Sequence, residues 1–329
     1  MNKLKFLLTM LLSAVVGIGV HAETHVWDPT ALTNGTVIAL QCRDTNGGPG
    51  WYFNGEGKKS PVLNYHNLYK VVTEASDGSA IKLQRLWDSK YVSTVGPVTM
   101  VAEGADNVAT FAVTNATPEN WTSKMADTDD KKMLRFDKGD SSYLNTAAKT
   151  AVTTYGGGKG GYSAWYVYTF TEAEVTALTA NPSGLKVSTD SEEHWYVMQC
   201  LRGSRYVGTA AVGQNINGHQ TTIPTVWKFV KRDDGSWDIV DYNGIYVSVS
   251  SGNIKAADTK PSYGWTIKNS AQAGYFIVTS GGSQFNQSNN SPYPTLNWGG
   301  GNNTTDEGCK YCFAEAPAPA TPKQLMYLT

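Results

Sequence analysis

Four cysteines and five histidines among 329 residues leave little material for a metal centre, and none of them is spaced as a ligand set. Cys309 and Cys312 are three apart, a spacing that on a strand turns the two side chains to opposite faces, and no second Cys or His pair accompanies them. Charge of one sign is also lacking: 27 basic residues against 28 acidic ones remove the electrostatic footprint of a binder of nucleic acid or of anionic membrane. Beyond residue 20 no apolar run is long enough to span a bilayer. There is no Gly-x-Ser-x-Gly elbow and no phosphate-binding loop. The acidic pairs Asp129-Asp130 and Asp233-Asp234 sit in turn-like, solvated stretches, and no run of carboxylates has the spacing of calcium ligands. The chain is therefore expected to be no enzyme, with no catalytic residue, no metal and no cofactor.

The first 22 residues read as a cleaved signal peptide. Lys3 and Lys5 precede an apolar run from Phe6 to Val20, and Val20-His21-Ala22 offers a small-residue cleavage site before Glu23. The expected destination is secreted, periplasmic or cell-surface. No cysteine occurs before Cys42, which argues against a lipid-anchored N-terminus.

What the chain has in excess is 33 Gly, 18 Tyr and 10 Trp, a composition that suits short strands joined by tight turns. One phrase recurs six times: Tyr52-Phe53-Asn54, Tyr91-Val92-Ser93, Tyr143-Leu144-Asn145, Tyr206-Val207-Gly208, Tyr246-Val247-Ser248 and Gln284-Phe285-Asn286. A second aromatic anchor follows each one, at Tyr69, Phe111, Trp165, Trp227, Trp265 and Tyr311. A unit of about forty residues that repeats in this way is a repeat architecture. Each unit opens on an alternating, strand-like run such as Val37-Ile38-Ala39-Leu40-Gln41-Cys42 or Trp195-Tyr196-Val197-Met198-Gln199-Cys200. The six Tyr or Phe residues of the phrase and the six anchor rings are all expected in the core.

Three units precede the middle of the chain and three follow it. The stretch between them has a different texture, with a short helix expected over Glu172–Leu178 and a break at Pro182-Ser183-Gly184. Residues 23–34 read as a leader, 35–172 as a first domain, 173–192 as a linker, 193–316 as a second domain and 317–329 as a Pro/Ala-rich tail. Three four-stranded units packed about an axis give a six-stranded barrel capped by three hairpins, and closure removes exposed strand edges. The expectation is an all-β chain of two tandem β-trefoil domains. A pair of β-sandwiches is the rival geometry, and the threefold recurrence within each half favours the trefoil.

On these repeats the chain resembles the ricin-type β-trefoil lectins, and more narrowly the exported bacterial proteins that carry two such modules. The lectin signature Gln-x-Trp keeps its ring here and loses its glutamine, as in Ser163-Ala164-Trp165, Thr225-Val226-Trp227 and Tyr263-Gly264-Trp265. The resemblance implies a glycan or polysaccharide partner, held by an amide for the hydroxyls and a ring for the C–H face. On that pattern the sugar-binding candidates are Asn54 with Tyr65, Asn145 with Tyr155, and Asn286 with Asn297 and Trp298. A protein-binding trefoil such as a protease inhibitor, and a structural or adhesion module, are the alternatives. First and last strands of a closed trefoil are neighbours, so a disulfide from Cys200 to Cys312 or to Cys309 is expected, with Cys42 a buried free thiol.

Overall fold

The computed structural model describes residues 24–42, 51–56, 59–60, 62–74, 80–94, 98–116, 133–139, 142–146, 152–155, 161–218, 220, 225–287 and 304–319. The expected signal peptide over residues 1–22, the loop with Asn297 and Trp298, and residues 320–329 of the expected tail lie outside the described residues. The chain divides into two compact units between Pro182 and Ser183. Both are antiparallel β structures, and the described residues contain one α-helix.

The first unit runs through β1 (Thr24–Val26), β2 (Val37–Cys42), β3 (Tyr52–Phe53), β4 (Lys59–Ser60), β5 (Tyr69–Thr73), β6 (Ala80–Arg85) and β7 (Tyr91–Ser93). It continues with β8 (Thr99–Val101), β9 (Phe111–Asn115), β10 (Leu134–Asp137), β11 (Tyr143–Asn145), β12 (Thr153–Tyr155), β13 (Trp165–Phe170) and α1 (Glu172–Ala180). Strands β2, β5, β6, β9, β10 and β13 pair in that order, and β13 returns to β2 over six residue pairs, Val37 with Phe170 through Cys42 with Trp165. The ring is a closed six-stranded barrel, so none of its strands keeps an open edge. Hairpins β3/β4, β7/β8 and β11/β12 stand on it, one per repeat. In β6 burial alternates, with Ile81, Leu83 and Arg85 covered, as a strand with one face to a core requires.

Residues 24–26, read from the sequence as part of a leader, add a strand to β13, where His25 stacks on Tyr168 and meets Tyr166 at a tilt. Helix α1 starts at a reciprocal cap, with the Thr171 side chain accepting from the Glu174 N–H and the Glu174 carboxylate accepting from the Thr171 N–H. Its one buried residue, Leu178, joins Ala39, Leu63, Leu68 and Phe170 in a small cluster of the first unit.

The second unit contains β14 (Trp195–Cys200), β15 (Trp227–Lys231), β16 (Trp237–Asp241), β17 (Tyr246–Ser250), β18 (Asn253–Ala257), β19 (Thr266–Asn269), β20 (Phe276–Ser280), β21 (Ser283–Gln284) and β22 (Tyr311–Ala316). Ladders join β15 to β14, β16 to β15, β19 to β20, β20 to β22 and β22 to β14. The remaining junction, between β16 and the start of β19, is a single bridge in which Trp237 and Trp265 exchange both backbone hydrogen bonds, at 2.8 and 2.7 Å.

Each unit has its own apolar core, and the repeats supply it in register. The middle residues of the phrase, Phe53, Val92, Leu144, Val207, Val247 and Phe285, are all covered, as are the six anchor rings. The first position of the phrase behaves differently: Tyr206 and Tyr246 are only half-buried, which corrects the expectation that every phrase tyrosine is core. Successive strand residues face opposite ways, so the middle residue takes the barrel side and its tyrosine neighbour takes the other.

The expected disulfide between Cys200 and Cys312 or Cys309 is not formed; all four cysteines are reduced thiols and buried. The neighbour relation itself holds, since β14 pairs with β22 along six positions. Cys200, however, lies opposite Tyr311, whereas Cys312 lies opposite Gln199, so the two thiols belong to opposite faces of the ladder. The Cys200 thiol donates instead to the Glu307 and Gly308 carbonyls of the turn that contains Cys309. Burial pushes the Cys200 and Cys309 thiols up to about 12, so neither is a thiolate at neutral pH. Thiol titration without reductant in guanidinium should return four thiols per chain, and the same reagent on native protein at pH 8 should react slowly; a count of two in denaturant contradicts this arrangement.

Candidate functional site

In the first repeat the expected clamp is engaged from within the protein. Asn54 is buried, and its Oδ1 accepts from the Glu56 N–H at 3.1 Å across a turn in which Gly55 has φ +80°. The Asn54 carbonyl accepts from Arg85 Nη1 at 2.6 Å. Arg85 is itself 1% exposed and reaches Asp88 through Nε and Nη2 at 3.0 and 2.7 Å, and Glu56 through Nη1 at 3.2 Å. A guanidinium taken out of water needs this degree of satisfaction. Its Cζ also lies 4.9 Å from the centre of the Trp87 ring, against which His66 packs with 4.2 Å between ring centres. Burial pushes the Asp88 carboxyl up, but the hydrogen bond and charge of Arg85 outweigh that, and the net shift is downward. Tyr65 sits beside this cluster, half-buried, with its hydroxyl donating to the Leu86 carbonyl at 3.3 Å.

In the third repeat Asn145 is 2% exposed and its Nδ2 donates to Ser163 Oγ at 2.8 Å. Tyr155 pairs with Tyr143 across the β11/β12 hairpin, which sets its backbone opposite the start of the phrase; its side chain lies outside the described residues.

The sixth repeat is arranged differently. Asn286 is fully buried and its Nδ2 donates to Asp306 Oδ2 at 3.3 Å, while its Oδ1 has no hydrogen-bond partner among the described residues. Asp306 Oδ1 caps the following turn through the Gly308 N–H at 3.0 Å and pairs with Arg202 Nη2. Arg202 Nη1 donates to the Gln287 carbonyl at 2.5 Å. One guanidinium thus holds residues 287 and 306, the two ends that bracket Asn297 and Trp298 in the sequence. Gly308 is required here, because a Cβ would run into the Gln287 carbonyl, Arg202 Nη1 and Asn286 Oδ1.

The structure therefore joins Asn54 to Arg85, Asn145 to Ser163, and Asn286 to Asp306 and Arg202. Asn54 and Asn145 stand in separate repeats of the first unit, and Asn286 stands in the second unit. Arg85, Arg202, Asp306 and Gly308 were not singled out from sequence. The one local signal was Asp306 two residues before Gly308, an acidic cap ahead of a turn.

No family model matches the chain, and no curated protein matches it. Among solved structures 50 chains match. A mosquitocidal holotoxin aligns over 86% of this chain at 11% identity and a TM-score of 0.33; the match takes in only 34% of the holotoxin. The BEL β-trefoil aligns over 42% of this chain and 95% of its own at 14% identity and a TM-score of 0.32. A GlcNAcα1-4Gal-releasing endo-β-galactosidase from Clostridium perfringens aligns over 86% of this chain and 73% of its own at 10% identity and a TM-score of 0.34.

The Arg85 cluster generates a stability prediction. Because the folded Asp88 pKa lies below its unfolded value, its contribution is present above the unfolded pKa and is lost as pH falls through the folded one. Asp88→Asn should cost about 1.5–3 kcal/mol at pH 7, the scale of a hydrogen bond to a charged group. It should also flatten the loss of stability of the first unit below about pH 4. Denaturant unfolding at a series of pH values checks both; an unchanged acid limb in the variant contradicts the assignment.

Proposed function

We propose that the chain is an exported carbohydrate-binding protein built from two tandem β-trefoils, and that it binds without catalysing a reaction on its ligand. The closed barrel with three hairpins in the first unit supports the trefoil reading. The same set of six barrel strands in the second unit, joined at its last junction by the Trp237–Trp265 bridge, extends it. The signal-peptide sequence expected over residues 1–22 supports export. No helix among the described residues is long and apolar enough to cross a membrane.

The observation that carries the binding reading is in the sixth repeat. Asn286 keeps a buried acceptor without a partner among the described residues, and it precedes a segment whose sequence, Leu296-Asn297-Trp298-Gly299-Gly300, combines amides, an indole and glycine. An unsatisfied buried acceptor costs free energy that a sugar hydroxyl would recover. The Trp298 indole of that segment would supply a platform for the C–H face of the same sugar ring. Asn54 Oδ1 is already taken by the Glu56 N–H and the Asn145 amide is tied to Ser163, whereas Asn286 spends its Nδ2 on Asp306 and keeps Oδ1 unpaired among the described residues, so the sixth repeat ranks first and the third, with Tyr155, second.

Glycan-array binding of the full chain beside a Trp298→Ala, Tyr155→Ala double variant with an unchanged thermal midpoint tests this. The expected result is a coherent glycan set for the parent that the variant loses. Equal binding by both would move the sites elsewhere while keeping the function, and absence of binding by either would reject carbohydrate recognition in favour of a protein-binding or structural role.

A further inference from the structure

A groove on the flank of the first barrel has neither Asn54 nor Asn145 in its lining. It is an open cavity of about 350 Å³ walled by the end of β5 at Thr73 and Glu74, by Lys82 on β6, by Tyr91 on β7, and by the Glu103-Gly104 turn that follows β8. That volume is at the small end of ligand sites, which run about 300–1,000 Å³. We propose that this groove is a second saccharide site, specific for one or two uncharged sugar rings. The proposal rests on the carbohydrate reading of the chain.

Three features select that ligand. The first is charge: two carboxylates, Glu74 and Glu103, against one ammonium, Lys82, leave one net negative charge in a small space. Glu74 and Lys82 neutralise each other as an ion pair, and Thr110 Oγ1 donates to Glu74 Oε2 at 3.0 Å. That leaves the Glu103 charge to set the sign, so a carboxylated or sulfated sugar would be repelled. The second is hydrogen-bond chemistry. A carboxylate accepts two or more sugar hydroxyls, an ammonium donates to their oxygens, and the Tyr91 hydroxyl does either. Burial, and then the Glu103 charge, push that phenol's pKa up, so it stays protonated at neutral pH.

The third is shape. Val72 and Val108 add apolar lining beside the Tyr91 ring, which suits the C–H face of a pyranose. Gly104 has φ +78° and no atom within 4 Å of where a Cβ would stand, so at that point the wall is backbone that a ligand approaches closely. Pairing fixes the rest: Val72 faces Lys82, and Tyr91 faces both Gln84 and Val101, so the floor and one wall belong to ladders rather than to free loops. Sites on such elements are held more firmly than sites on loops alone.

The test uses ¹H–¹⁵N spectra of the full chain with millimolar methyl β-galactoside, methyl N-acetyl-β-glucosaminide or methyl β-glucuronide. The backbone signals of Thr73, Gly104 and Val108 should shift with at least one of the two neutral sugars and stay still with the glucuronide. Glu103→Lys, at an exposed position and with an unchanged thermal midpoint, should weaken the neutral sugar by about tenfold or more and let the glucuronide compete. If these signals do not move while the chain binds glycans elsewhere, the groove is overturned and the general reading stands. If no saccharide shifts any signal and the chain is silent on a glycan array, both fall.

Discussion

The hydrogen bond from the anchor ring to the backbone of its own phrase, made in four of the six repeats, is the constraint on which the rest of the structure depends. Trp165 Nε1 donates to the Leu144 carbonyl at 3.0 Å, Trp227 Nε1 to Val207 at 3.1 Å, Trp265 Nε1 to Val247 at 2.9 Å, and the Tyr69 hydroxyl to Phe53 at 3.3 Å. In each case the acceptor belongs to the middle residue, whose side chain is already in the core. A carbonyl there has no water, and leaving it unpaired would cost about 1–3 kcal/mol. The ring fills the barrel and satisfies the hairpin at once, which is why an aromatic with a polar edge recurs at this position. Phe111 has no such edge, and in its repeat the Ala109 N–H takes the Val92 carbonyl at 2.8 Å. In the sixth repeat the Tyr311 ring meets Phe285 edge-on at 5.6 Å.

A second level of ties runs from the second, fourth and fifth repeats to the one before each around its ring. Arg85, the last residue of β6, reaches the Asn54 carbonyl of the preceding repeat. Asp241, the last residue of β16, accepts from Thr209 Oγ1 at 2.6 Å, just past the fourth phrase. Arg202, two residues beyond the end of β14, reaches Gln287, just past the sixth. Charged side chains at the ends of barrel strands thus fix the hairpin roots of their neighbours. These are the places where the Asn54 and Asn286 candidates lie, so stability and any binding role draw on the same residues.

This division explains how much was legible in the sequence. The period was readable because the ring and the phrase recur locally, and it led to short antiparallel strands and a closed barrel. The face of the phrase was not, because a tyrosine and the valine after it are both good strand residues, and a shift of one position exchanges core for exterior. The thiols failed for the same reason: adjacency of β14 and β22 followed from closure, but the face each sulfur takes depends on register. The candidate asparagines were identified as residue types but not as environments. Arg85 lies 31 positions from Asn54 and Arg202 lies 104 from Asp306, and no local pattern announces such partners.

Hydrogen exchange of the tryptophan indole N–H groups tests the ring-to-carbonyl constraint most directly. Trp165, Trp227 and Trp265 should exchange only when their own unit unfolds, as groups buried and bonded inside a cooperative core do. The exposed Trp27 provides the fast reference within the same molecule. Protection of all three that rises and falls with global stability is the predicted result. Exchange of any of the three on the timescale of Trp27 would contradict the claim that these bonds hold hairpin to barrel.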